Sequence, residues 1–520
     1  MSYILTIDCG STGIRAMVFD RDGKVVDKSY QKTPAIFPKE GWVEHDPNML
    51  WQATVDVIQE ILSKKVIKPS DIHAIGISNQ RGSFLLYEKS SGKPITNLIN
   101  WADVRAADAC NKMNRNFKWR LLKKIALIGS KLSRNTMLTA TSMLSFTTDH
   151  ITVRIKWLMD SDKDLYQRCK NGDIAFGTID TWLVHCFTKG KKHVIDFTNA
   201  SATGMLNPFD LKWNSIFLNT FNIPMEILPE LIDTNGFFGE TEHPIFENNK
   251  IPIRATAGDQ QAALFGHCCF NQGDVKISQG SGAFVDMNVG PKAKLSRRGL
   301  FPLIAWKLLD DKPIYMLEGY VATAGTLIDW LGQGIGLSDT PTVLNELAEQ
   351  CTDTEGVVVV PTPSGIRFPY FSPKTKASIL GLSLRTHRKH VARAVLEGIV
   401  FRLYDILKGV EHDTKILISQ IKTDGGVSRS DLIIQILSDL TDLEVARSPE
   451  ADMTARGVAY LAGLGSGFWK NKAELIKIHN NLEYTIFNPS MDKEIRAKKI
   501  KHWYKAVQGV LHYTQSLERL

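Results

Sequence analysis

Residues 3–20, YILTIDCGSTGIRAMVFD, decide how the rest of the chain is read. YILTID and IRAMVFD have the apolar, β-branched character of strands, and the short CGSTG between them fits a tight turn. Glycine there lets the backbone approach an anion closely, leaving amide groups and the hydroxyls of Ser11 and Thr12 to donate to it. A near-echo, ISQGSGAFV at 277–285, returns about 270 residues later with Gly280, Ser281 and Gly282 at its turn. Two such hairpins in two halves of one chain predict two jaws on the phosphates of one nucleotide.

Outward from the first hairpin, Asp22-Gly23 is expected to turn the chain into a third strand, KVVDKSY. A helix is expected after EHDP, with Asp46 as cap and Pro47 at its first position. HAIGISNQ and FLLYEK read as two strands interrupted by Gln80-Arg81-Gly82. A second start falls near 252, where IRATAGD leads into the helical QQAALFGHCC. RKHVARAVLEGIVFRLYDILKGVEH has helical spacing, KILISQIKTDGG reads as a strand ending at a glycine pair, and SDLIIQILSDLT continues as a helix. The expectation is a duplicated α/β architecture of two domains, 1–251 and 252–520.

Length agrees, since 520 residues exceed what one hydrophobic core supports. A net charge of +8 from 63 basic and 55 acidic residues suits a small polyanionic ligand. No aromatic-interleaved basic array or zinc-finger spacing points to nucleic acid. Seven scattered cysteines without a CxxC pair read as reduced thiols. The strand at the very start leaves no room for a signal peptide, and no apolar stretch would span a bilayer, so a cytoplasmic location is expected. From Ala109 to Thr148 there is no acidic residue, and FKWRLLKKIALIGSKLSR mixes basic with apolar positions. Over 112–134 this reads as either a peripheral membrane or partner helix or a solvated insertion. KEIRAKKIKHWYKAV near the end reads as a solvated basic face.

Two familiar phosphate motifs are missing. There is no G-x-x-x-x-G-K-[ST] loop, and the glycines of LGQGIGL and LAGLGSGF are wrongly spaced for G-x-G-x-x-G. What remains is hairpin-based phosphate binding. In order along the chain stand IDCGSTGIRA, GWVEHDP, SNQRG, INW, FGTIDTWL, DFTNAS, AGDQQAALFG, QGSGAF, LEGYVATAG and DGG. This set resembles the FGGY carbohydrate kinases, nearest to their glycerol kinases, and the basic insertion is similar to that of a divergent animal branch. The resemblance implies an actin-like, hexokinase-like fold: two duplicated ribonuclease H-like α/β domains with an interdomain ATP cleft.

It also implies roles. Asp8, just ahead of the phosphate turn, would hold Mg²⁺ through water, as that strongly hydrated ion prefers. Ser11 and Thr12 would donate to the transferring phosphoryl group, Arg15 would add positive charge, and Gly280, Ser281 and Gly282 would offer amides to the β- and γ-phosphates. Asp259 is the expected general base, accepting the acceptor hydroxyl's proton as it attacks phosphorus; an N-cap role is the competing reading. Gly325 and Gly426 would line the nucleotide site. Ser430 stands where a glycerol kinase has asparagine near adenine, and Asp329 replaces a usual glutamine.

Arg81, Trp101, Asp259, Gln260 and Phe284 would bind the acceptor. Here the match breaks. Gly82 stands where the family has a glutamate, and LTATSMLSFTTDH replaces a segment that carries a tyrosine. A hydrogen bond to a charged group contributes about 1.5–3 kcal/mol, so each lost clamp weakens glycerol handling roughly 10–100-fold. The expected activity is ATP-dependent phosphorylation of a polyol, glycerol giving sn-glycerol 3-phosphate. The alternatives are a kinase for another polyol or sugar, and a nucleotide-binding regulatory protein of lipid metabolism with weakened catalysis. A homodimer is compatible with either.

Overall fold

The computed structural model describes residues 2–133, 136–148, 150–296 and 298–518. The chain divides into two compact units. The first comprises Met1–Cys268, Leu303–Tyr315 and Thr454–Asn480, and the second Cys269–Pro302, Met316–Met453 and Asn481–Leu520.

In the first unit a six-stranded sheet runs in the order Gly239–Glu240, Pro252–Gly258, Ile72–Asn79, Tyr3–Cys9, Gly13–Phe19, Val25–Lys32. The hairpin and third strand read from sequence are antiparallel, with Asp8 opposite Arg15. Ile72–Asn79 runs parallel to Tyr3–Cys9, and Pro252–Gly258 runs parallel to Ile72–Asn79. Parallel strands buried on both faces need apolar runs, which YILTI, IHAIGIS and PIRATAG supply. A cut at 251/252 is therefore displaced. IRATAG is the third parallel strand of the first sheet rather than the opening of a second domain, and helix Asp259–Gly266 follows it within that unit. FLLYE belongs to a separate four-stranded sheet with Glu44–His45, Leu98–Ile99 and Ile174–Thr178.

Helix Pro47–Ser63 starts as expected: the Asp46 carboxylate accepts the amides of Asn48 (2.8 Å) and Met49 (3.3 Å), and Pro47 occupies the first turn. Leu50, Ala53, Val57, Ile58 and Ile61 lie buried along one face and join the apolar core of the sheet. Helix Met453–Ser466 takes in Gly463 and Gly465 of LAGLGSGF, and close packing is what they serve: a Cβ on Gly465 would fall 2.4 Å from the Asn235 carbonyl oxygen. A Cβ on Gly457 would fall 1.7 Å from the Ala262 carbonyl oxygen, and one on Gly76 would fall 2.6 Å from that of Val458. Two missing side chains thus seat this helix directly on the strand and on helix Asp259–Gly266.

The second unit repeats the plan. Its strands follow the order Ile314–Val321, Ala283–Gly290, Asp274–Gln279, Gln420–Asp424, Val445–Arg447, Thr485–Phe487. Asp274–Gln279 and Ala283–Gly290 form the antiparallel hairpin, Gln420–Asp424 runs parallel to Asp274–Gln279, and Val445–Arg447 runs parallel to Gln420–Asp424. Helix Arg388–Thr414 confirms the long periodic segment, whereas KILIS stays outside the strand that begins at Gln420. VVV at 358–360 pairs with Ser378–Leu380 rather than with the main sheet. The basic segment forms helix Phe117–Ser133, and Arg134 lies outside the described residues. Among the described residues no cysteine is joined in a disulfide, and no helix is long and apolar enough to cross a membrane.

Gly457→Ala is expected to destabilise the chain by about 1–3 kcal/mol through backbone overpacking. Its denaturation midpoint should fall while an Ala→Gly change on an exposed face of the same helix leaves it nearly unmoved. An unchanged midpoint would show that the helix can shift away freely.

Candidate active site

The three parallel strands of the first unit end in register. Cys9 lies opposite Asn79, and Asn79 lies opposite Gly258. In open α/β sheets ligands bind beyond the carboxyl ends of such strands, where loops diverge. The loops that leave here carry Ser11 and Thr12, then Gln80, Arg81 and Gly82, then Asp259.

The arginine Nε donates to Asp259 Oδ1 at 3.2 Å, and the same oxygen accepts the Gln260 amide at 2.8 Å. Gly258 is the helix cap and Asp259 the first helical residue, so the carboxylate also sits at the positive end of the helix dipole. Its side chain stays 27 % exposed, against 10 % for Arg81, which leaves it open to a small acceptor. The absence of a side chain at Gly258 matters, because a Cβ there would lie 2.6 Å from Arg81 Cδ.

Ser78 Oγ donates to Asp8 Oδ1 at 2.9 Å, fixing that carboxylate at the strand end. The turn is closed by the Gly10 amide donating to the Gly13 carbonyl (3.0 Å). Ser11 Oγ donates to Gln80 Oε1 (2.8 Å) and accepts from the Trp101 indole (3.1 Å), so the phosphate turn and the predicted acceptor tryptophan are joined. Arg15 leans over the Tyr30 ring at 5.4 Å. No trio of metal-ligating side chains gathers among the described residues. The Asp8 carboxylate would suit a hydrated Mg²⁺ completed by waters and phosphate oxygens, not an all-protein cage.

Several contributors escaped the sequence reading. Asn100 Nδ2 reaches both Gln80 Oε1 and His45 Nε2 at 3.2 Å, and burial holds His45 below its ordinary pKa, as a neutral acceptor. Buried Gln80 Nε2 has no partner among the described residues. Arg154, fully buried, donates to the Gly82 carbonyl at 2.7 Å and to that of Asn100. Gly82 itself adopts φ +75°, a backbone that disfavours any larger residue. Nothing in the apolar helix around Arg154 marked it out.

Behind the loops, DFTNAS gains a physical role. Asp196 caps helix Phe197–Ala202 through the Thr198 and Asn199 amides and accepts Thr198 Oγ1 at 3.0 Å. Thr198 Oγ1 in turn accepts the Gly258 amide at 2.8 Å, one residue before Asp259. Asn199 exchanges amide bonds with Asn79 at 3.0 and 3.2 Å, one residue before Gln80. One buried carboxylate thus ties two of the three loops. Burial raises Asp196 to about 6, and burial plus the Asp196 charge raises Asp180 to about 7.

In the second unit, the Gly280–Gly282 turn is held by the start of helix Gly325–Gln333. Gly325 N donates to the Gly280 carbonyl (3.0 Å), and Ala324 N and Thr326 N donate to that of Ser281 (2.8 and 3.2 Å). A Cβ on Gly325 would meet Gly280 O at 2.7 Å, so the two predicted nucleotide positions form one backbone unit. Gly425 has φ +92°, and Gly426 has open space where a side chain would stand, as a flat ring needs. Ser430 caps helix Asp431–Thr441 and bonds Asn345, which commits its hydroxyl, while Asp329 is exposed one turn beyond Gly325. Phe284 stacks on Tyr320 with centroids 5.6 Å apart, and Arg367 lies over Tyr320.

Both halves match known sequences. Residues 3–266 fit the N-terminal domain, and residues 275–466 the C-terminal domain, of the FGGY family of carbohydrate kinases. The chain belongs to that family. It is 38 % identical over 514 residues to the glycerol kinase of Thermoanaerobacter sp. (strain X514), covering 99 % of each chain. It is 36 % identical over 518 residues to glycerol kinase 5 of Danio rerio, covering 98 % of this chain and 97 % of that one. The crystal structure of Plasmodium falciparum glycerol kinase with ADP superposes with a TM-score of 0.88 at 30 % identity, over 98 % of both chains. A xylulose kinase from Lactobacillus acidophilus shares the fold at a TM-score of 0.82 and 22 % identity.

The raised acids set a pH dependence. Unfolded, Asp180 titrates near 3.8; folded, it holds its proton to about 7. Between those values the folded chain binds more protons, so this group's contribution to stability declines as pH rises. Asp180→Asn is expected to flatten the fall in denaturation midpoint between about pH 4 and pH 7. An equally steep fall in the variant would assign the dependence elsewhere.

Proposed function

We propose that this carbohydrate kinase transfers the γ-phosphoryl group of ATP to a hydroxyl of glycerol or a polyol near its size. The observation that carries the reading is the Asp259–Arg81 pair, partly open, at the common end of three parallel strands. Asp259 accepts the hydroxyl proton as the oxygen attacks. Arg81 and Gln260 orient the acceptor, with Trp101 as an apolar wall. A ligand oxygen would satisfy the buried Gln80 amide, whose isolation otherwise costs about 1–3 kcal/mol. Phosphoryl transfer needs positioning and charge stabilisation above all, which Ser11, Thr12 and Arg15 supply in the first unit and the 280–282 amides in the second. Mg²⁺, held through water by Asp8, would neutralise phosphate charge when bound. The relatives named glycerol kinases and the ADP-bound neighbour support both substrates.

Gly82 favours a second reading of the acceptor. With no side chain at 82 the acidic clamp of the family resemblance is absent, and a longer polyol would follow the same mechanism.

Product formation from glycerol and a panel of larger polyols, with ATP and Mg²⁺, tests both. Asp259→Asn is expected to lower kcat about 10²–10⁴-fold while the Kd for ATP stays within a few-fold. Parallel loss of ATP binding would remove Asp259 from the role of base. Activity confined to a larger polyol would move the acceptor and keep the mechanism. Nucleotide binding with no transfer to any acceptor would replace the enzyme reading with a regulatory one.

A further inference from the structure

Helix Phe117–Ser133 has two apolar faces. One packs inward: Trp119 and Ala126 are buried, and Trp119 sits in an aromatic cluster with Phe146, Phe217 and Phe221. The other is uncovered. Phe117, Leu121, Ile125, Ile128 and Leu132 are all exposed, Phe117 by 78 % and Leu132 by 83 %. At 3.6 residues per turn these five fall within about 80° of one another, forming a continuous stripe along the helix. Isolated exposed apolar residues are ordinary; a continuous helical stripe of five marks an interaction surface.

Charge indicates what covers it. Lys118 borders the stripe on one side, and Arg120, Lys124 and Lys131 lie beyond its other edge. All four are exposed, and none is ion-paired among the described residues. No acidic residue occurs anywhere from Ala109 to Thr148. A second copy docking through this face by two-fold symmetry would set these lysines against themselves with no carboxylate on the helix to relieve them. An anionic lipid surface meets both requirements, taking the stripe into its acyl boundary and the lysines among its headgroups.

The basic C-terminal helix Lys493–Leu517 differs. Trp503, Val507 and Val510 are buried beneath it, and its exposed Ile495, Tyr504, Tyr513 and Leu517 are scattered rather than joined in one continuous stripe.

We propose that helix Phe117–Ser133 is a docking face for anionic phospholipid membranes, lying in the plane of the headgroups. The inference is independent of the acceptor assignment, because none of these residues belongs to the active site. The test is co-sedimentation of the full chain with vesicles of phosphatidylcholine alone and of phosphatidylcholine with phosphatidylserine. The chain is expected to pellet with the anionic vesicles only, and progressively less as salt is raised. Ile125→Glu with Leu132→Glu should reduce partitioning at least about tenfold while phosphotransfer and the denaturation midpoint stay unchanged. Lys124→Gln alone should reduce it roughly fivefold. No pelleting with anionic vesicles at low salt, or equal pelleting of the doubly substituted chain, overturns the proposal. So does a dimer that the double substitution splits into monomers, which would give the stripe to a second copy.

Discussion

The register of three parallel strands is the constraint on which the first unit depends. Because Cys9, Asn79 and Gly258 finish at one level of the sheet, the segments that follow them emerge together, although they lie as far apart in sequence as residues 10 and 259. Backbone hydrogen bonds fix that level, and a slip of one residue would turn each strand's buried side chains to the opposite face. The chemistry thus inherits its geometry from the ladder. The Asp259–Arg81 pair and the Ser11–Gln80 bond each join two of these loops, and the Asp196–Thr198–Asn199 cluster locks two loops from behind.

The acceptor side shows how one substitution changes more than a side chain. Gly82 lacks the carboxylate expected from the family resemblance, and its positive φ places the backbone where a glutamate would be strained. Arg154 reaches the Gly82 carbonyl from below and also holds that of Asn100. The Gly82 loop is thus held from below by a buried cation.

Glycine serves three separate ends in this chain. At the two hairpin turns its proposed use is to admit backbone close to an anion. In helix Met453–Ser466 it lets two backbones touch. At 425 its positive φ brings the chain over Gln279, where a Cβ would fall 2.4 Å from the carbonyl oxygen. Motif spacing separates the first use from the others only in part, which is why LAGLGSGF looked like a failed nucleotide signature.

Much of the fold was legible in the chain. Both hairpins, the Asp46-capped helix and the long helix Arg388–Thr414 follow from local rules of turn chemistry, capping and period, and those rules act over a few residues. The duplicated halves followed from the hairpin echo. What stayed hidden depends on distance in sequence. IRATAG reads as a buried strand, but only pairing with Ile72–Asn79 assigns it to the first sheet. DFTNAS reads as a motif, but only burial shows that it braces Gly258 and Asn79. The mixed composition of residues 117–133 left a membrane or partner helix and a solvated insertion open; only the fold shows that one apolar stripe is buried and the other exposed. Sequence by itself determined which segments are strands, turns and helices, and which residue types can do phosphoryl chemistry, because those properties are local. Tertiary structure decided which of them meet, because strand register and close packing are set by partners far along the chain.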